Sequence, residues 1–94
     1  MGPHYAVVVT ADAINRNAST VLLAVITSRR IDEVYPHEFL LPLSLLPKPS
    51  KVLGHSIVIW PKEELTQKNF VASLGKRDLP GLDAALMMAL ELWP

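Results

Sequence analysis

The sequence predicts an α+β domain, an antiparallel sheet or small barrel of short strands with one helix packed against it. Three observations carry this. Short apolar runs rich in Val, Ile and Thr recur between turn-forming residues. Only one stretch, at the C-terminal end, repeats apolar residues at three- and four-residue spacing. The chain has 94 residues with no internal repeat and no long interior linker, so residues 1–94 make one domain.

His4 to Thr10 (HYAVVVT) contains three consecutive valines and reads as a buried strand. In Ala11 to Arg16, Asp12 is placed to cap one helical turn, and Asn15-Arg16-Asn17 reads as a turn. Thr20 to Thr27 (TVLLAVIT) is β-branched at both ends and suits a central strand. Arg29 to Pro36 is charged and ends in proline, which predicts a loop or ragged edge. Glu38 to Leu43 fits a strand at an edge, because Pro42 lacks a donor. Leu45 to Lys51 is a loop. Val52 to Trp60 is a strand, and Gly54 inside it marks a bulge or bend. Pro61 followed by two glutamates predicts a helix of about two turns over PKEELTQ. Phe70 to Leu74 reads as a last short strand. Asp78 is then the expected cap of a helix whose Leu82, Leu86 and Leu90 face the sheet, with Ala85, Ala89 and Trp93 beside them.

Composition excludes several classes. Half the residues are apolar and 19% are charged, unlike a disordered chain. No apolar run is long enough to span a membrane. With no cysteine there is no disulfide scaffold, thiol nucleophile or cysteine-ligated metal. The N-terminus shows no basic segment followed by a long apolar stretch, so a cytoplasmic protein is expected. Nine basic and nine acidic residues cancel, so any nucleic-acid contact must come from a local patch.

The candidate chemistry is sparse. His4, His37 and His55 lie on separate segments and form no metal-binding pair, so no metal and no cofactor is expected. The densest basic cluster is Thr27-Ser28-Arg29-Arg30, at the end of an apolar strand. Hydroxyls donate to phosphate oxygens, and arginine forks match them in pairs. A solvated loop end would look the same from composition alone. Tyr35 and Trp60 are the candidates for base stacking.

Taken together, HYAVVVTADAINR, TVLLAVITS, SKVLGHSIVIWPKEEL and VASLGKRDLPGLDAALMMALELW resemble, in order and spacing, the MazF/PemK/Kid family of bacterial toxins. The resemblance runs from about His4 to the C-terminus. It implies a small SH3-like antiparallel β-barrel with a C-terminal helix, and a homodimer. It implies a metal-independent endoribonuclease that cuts single-stranded RNA at short sequences. It also implies inhibition by a cognate antitoxin with an acidic tail. His4 falls where the family carries the catalytic arginine of its RP motif, and Thr27 falls on the threonine of its ITS motif. On that reading His4 and Thr27 are catalytic, while Ser28, Arg29, Arg30 and His55 bind substrate, with His55 a second candidate proton carrier.

Three departures stand beside the resemblance. The family begins with one more strand, for which the sequence before His4 offers no counterpart. Val58 and Pro61 stand where the family has an arginine and an aspartate, and His55 where it has an acid. The net charge is zero. The alternative reading is therefore a weakened or inactive barrel that binds an antitoxin or itself.

Overall fold

A computed structural model of the chain describes residues 5–91. Its order is β1 (Tyr5–Val8), α1 (Asp12–Asn17), β2 (Thr20–Thr27), β3 (Glu38–Leu40), β4 (Lys51–Pro61), three single 3-10 turns, and α2 (Leu79–Ala89). The strands form one antiparallel sheet in the order β1-β2-β4-β3. This is the α+β arrangement the apolar pattern predicts, with the C-terminal helix laid against β3 and β4.

Strand β2 has the limits expected from its β-branched ends. It pairs on both sides, with β1 (Tyr5↔Ile26 to Val8↔Leu23) and with β4 (Thr20↔Pro61 to Thr27↔Lys51). Edge strand β3 stops at Leu40, two residues before Pro42, as a residue without an N–H donor requires. The connection 28–37 is a run of turns.

The bend expected at Gly54 is a wide bulge. Ala24 faces Ile57 but the next residue, Val25, faces Leu53, so Gly54, His55 and Ser56 have no partner on β2. Gly54 is buried in it, and its N–H donates to the His37 carbonyl at 3.0 Å. A Cβ at this position would stand 2.4 Å from that same carbonyl oxygen and 3.2 Å from the Ala85 carbonyl oxygen. Both obstacles are backbone and cannot rotate away. Gly54→Ala should therefore cost on the order of 1–3 kcal/mol, the usual range for overpacking, measurable as a lower urea midpoint at unchanged slope.

Ala24, Leu41, Val52 and Leu82 form the buried core, with Phe39, Ile57 and Leu86 packed on it. On α2, Leu82 and Ala85 are buried as the helical spacing predicts, and Leu86 is half-buried. Leu90 is not: it is 55% exposed, because α2 ends at Ala89 and Leu90 falls in the turn that follows. Trp93 lies outside the described residues.

Four other expectations are corrected. Asn15, Arg16 and Asn17 belong to α1 rather than to a turn, and Asp12 is its first residue, with Ala11 at the cap. Asp78 occupies the cap position of α2 but makes no side-chain bond there. The 3-10 turn Lys76–Asp78 runs directly into the helix, which starts at Leu79 and carries Pro80 in its first turn. PKEELTQ is not one helix. Pro61 still pairs in β4, and Lys62–Glu64 makes a single turn. Thr66 then exchanges side-chain bonds with Asn69 to open a second turn, an alternative that competes with helix continuation. Phe70 to Leu74 is not a strand. Phe70 and Val71 are exposed, and only Leu74 packs on the core.

No helix among the described residues is long and apolar enough to cross a membrane.

Candidate functional site

The last residue of β2 is Thr27, and the chain turns at once into Ser28, Arg29 and Arg30. Thr27 is half-buried, while Ser28 and both arginines are exposed. The Thr27 Oγ1 accepts the Arg29 N–H at 3.1 Å. That bond uses a lone pair on the hydroxyl oxygen and leaves its hydrogen to donate. Arg30 adopts a left-handed backbone with φ 50°, uncommon for a side chain other than Gly, Asn or Asp. Its carbonyl accepts the Glu33 N–H at 3.1 Å, closing the turn that presents the two guanidiniums. One hydroxyl with a free hydrogen and two arginine forks can therefore gather around a phosphate.

Thr27 pairs with Lys51 at the start of β4. Lys51 is buried and charged, which demands a partner. It finds Glu38 on β3: Nζ to Oε1 is 2.7 Å, and the side chains are 4% and 6% exposed. The pair is diagonal across the two strands, since Lys51 faces Leu40 and Glu38 faces Leu53. Lys51 Nζ also donates to the Glu33 carbonyl at 2.7 Å, and the Tyr35 N–H donates to Glu38 Oε1 at 3.1 Å. Burial pushes the Glu38 carboxyl up. Hydrogen bonds from Lys51 and the Tyr35 backbone, with the charges of Lys51 and His37, outweigh burial and hold it below the usual carboxylate range. The Tyr35 hydroxyl donates to Glu33 Oε2, and that bond with the negative charge of Glu33 raises the phenol above its ordinary value. The connection bearing Arg29 and Arg30 is thus clamped at its far end to the sheet.

His55 projects from the bulge and is exposed. It meets His37 edge-on, with ring centroids 4.7 Å apart at 77°. His37 in turn lies nearly parallel to Tyr35, 5.9 Å away at 10°. The structure therefore keeps Thr27 to Arg30 together and sets His55 apart from them. His55 lies four residues along β4 from the partner of Thr27, on the order of 10 Å at ~3.3 Å per residue. His4 lies outside the described residues. Trp60 pairs with Val21 at the opposite end of the sheet from Thr27, where Ser19, Thr20, Pro61, Lys62 and Glu63 line a shallow depression. Among the described residues no three His, Asp or Glu side chains converge on a common point.

Glu38 and Lys51 were not singled out by the sequence, and His37 stood there only as an isolated histidine. No spacing rule joins residues 13–18 positions apart. Only the β3–β4 register brings them together.

The profile of the family described as PemK-like, MazF-like toxin of type II toxin-antitoxin system matches residues 1–90. No curated protein matches the chain. Solved structures do. An endoribonuclease in complex with its cognate antitoxin, from a mycobacterial species, superposes with a TM-score of 0.79 at 24% identity, over 95% of this chain and 82% of that one. The Mycobacterium tuberculosis toxin MazF-mt6 superposes with a TM-score of 0.77 at 20% identity, over 92% and 84%. At these identities the likeness is one of fold.

Proposed function

The chain belongs to the PemK-like, MazF-like toxins of type II toxin–antitoxin systems, and from that premise we propose that it is a metal-independent endoribonuclease acting on short sequences in single-stranded RNA. The observation that carries the reading is Thr27. Its hydroxyl keeps its hydrogen to donate and stands at a strand end directly before two exposed arginines.

The substrate's own 2′-oxygen attacks the phosphorus, and the bond from phosphorus to the 5′-oxygen breaks. The products are a 2′,3′-cyclic phosphate and a 5′-hydroxyl. The non-bridging oxygens gain negative charge on the way. Thr27 and Ser28 donate to them, and Arg29 or Arg30 offsets the charge. A base must take the 2′-hydroxyl proton and an acid must protonate the leaving oxygen. His4, where the family carries its arginine, is the residue assigned to proton transfer. The route needs no protein nucleophile and no metal.

The protein acts in the cytoplasm as a homodimer and is held inactive by an antitoxin with an acidic tail. A dimer is supported by a cross-strand pair of exposed apolar residues, Leu22 and Ile59, the latter 70% exposed. A second reading is favoured by Val58, which is exposed where the family carries an arginine. It makes the chain an antitoxin-binding or self-associating barrel without catalysis. Induction in bacteria separates the two: the ribonuclease arrests growth and shortens messenger RNA, while the binding module does neither.

A further inference from the structure

We propose that Tyr35, His37 and His55 form a stacking subsite for one unpaired base of the RNA, an inference that rests on the ribonuclease reading above. None of the three rings belongs to the core cluster. Tyr35 is 51% exposed, His55 is exposed and His37 is half-buried. Burial therefore does not explain their arrangement, yet Tyr35 and His37 are anchored. The Tyr35 N–H is held by Glu38 and its hydroxyl by Glu33. The His37 carbonyl accepts the Gly54 N–H, which ties it to the bulge that carries His55. Beneath them the buried Lys51–Glu38 pair locks both strands.

The geometry is a corner. Tyr35 and His37 present nearly parallel faces, and His55 stands almost perpendicular to them. The buried Lys51 ammonium lies 5.9 Å from the Tyr35 ring centroid and His37 stacks on the same ring, while Tyr35 remains 51% exposed to solvent. A flat heterocycle laid on an outer face of the stacked Tyr35–His37 pair buries apolar surface at little entropic cost, because Tyr35 is already held at its backbone and its hydroxyl. An imidazole nitrogen of His55 can then donate to or accept from the base edge. The same connection carries Arg29 and Arg30 at one end and Tyr35 and His37 at the other. Cations that track a backbone beside rings that take its bases are the combination single-strand binders use. Trp60, the other stacking candidate, sits at the wrong end of the sheet to share a strand held at Thr27.

The test uses the purified chain and short single-stranded RNAs built around a cleavage sequence mapped with the wild type. Each carries 2′-O-methyl ribose at the scissile nucleotide to prevent cutting, and 2-aminopurine at one position in turn. Fluorescence should be quenched at one position next to the scissile bond. Tyr35→Leu should abolish that quenching and weaken binding about five- to a hundred-fold, the range of one lost stacked base. Tyr35→Trp should keep both. His55→Ala, at an exposed position, should weaken binding without lowering the melting temperature, and it carries the test if Tyr35→Leu fails to fold. Wild-type cleavage together with unchanged quenching and affinity in Tyr35→Leu and His55→Ala overturns the subsite alone. So does a Tyr35→Leu variant that loses affinity only for a poly-aspartate/glutamate peptide, which would make the rings a protein contact. A wild type that cuts no RNA overturns the ribonuclease reading and the subsite with it.

Discussion

Replacing Lys51 with methionine should destabilise the fold by about 3–5 kcal/mol, the cost of leaving one member of a buried ion pair alone. The change keeps the aliphatic stem and removes only the ammonium, so packing is nearly preserved. Glu38 is then left 6% exposed with no cation. The loss is a large share of the ~5–15 kcal/mol a domain of this kind possesses. Its pH dependence identifies the cause. In the wild type the Glu38 carboxyl is held below its unfolded value near 4.3. Its contribution is therefore present above that value and lost as pH falls through the lower, folded one. In Lys51→Met only the Tyr35 N–H and the charge of His37 still oppose burial, so the carboxyl rises and acid neutralises the stranded charge. The stability gap between wild type and variant should narrow as pH falls from 7 towards 4. Adding Glu38→Leu to Lys51→Met should recover most of the loss, since an apolar pair can replace a buried ionic one. A gap that is flat with pH, or a double variant no more stable than the single, would mean that the pair is not what holds β3 to β4. Urea titrations at several pH values decide it.

Thr27→Ala should lower the rate of RNA cleavage by on the order of 10²-fold or more, the effect of removing one donor from a developing oxyanion. The fold should survive. Thr27 is half-buried and, among the described residues, its hydroxyl oxygen accepts only the exposed Arg29 N–H, which water can satisfy. Thr27→Ser keeps the hydroxyl and should retain most of the rate. His4→Ala should cost at least as much as Thr27→Ala, given the ~10²–10⁴-fold typical of positioned proton transfer. Single-turnover rates at saturating RNA, compared with melting temperatures of the same samples, separate lost chemistry from lost structure. Thr27→Ala and His4→Ala variants that both cut like the wild type would remove these residues from the mechanism.

What could be read from the sequence was what depends on neighbours along the chain. TVLLAVIT became β2 at its full length because β-branched ends and an apolar middle leave no other local choice. Gly54 signalled a bulge because a glycine inside an apolar strand has little else to do there. Leu82 and Ala85 were legible from helical spacing, whereas Leu90 was not, because the apolar spacing runs on past Ala89, where the helix ends. PKEELTQ misled because its proline and glutamates mark a start equally well for one turn or for two; the first closes at Leu65 and Thr66 opens another. FVASL has strand composition, but composition cannot tell whether a sheet edge awaits it. The cluster around Thr27 was visible because its members are adjacent. The Lys51–Glu38 pair and the His37–His55 contact were not, because register alone creates them.

If Thr27 holds the phosphate while the substrate's own 2′-oxygen attacks it, the ends of the cut RNA carry the record. The most direct measurement incubates the purified chain with single-stranded RNA in excess EDTA and maps the chemical ends of the products. Fragments ending in 2′,3′-cyclic phosphate and beginning with 5′-hydroxyl, formed by wild type and at least ~10²-fold more slowly by Thr27→Ala, are the expected result. Intact RNA, cleavage that EDTA abolishes, or fragments bearing 5′-phosphate would contradict it.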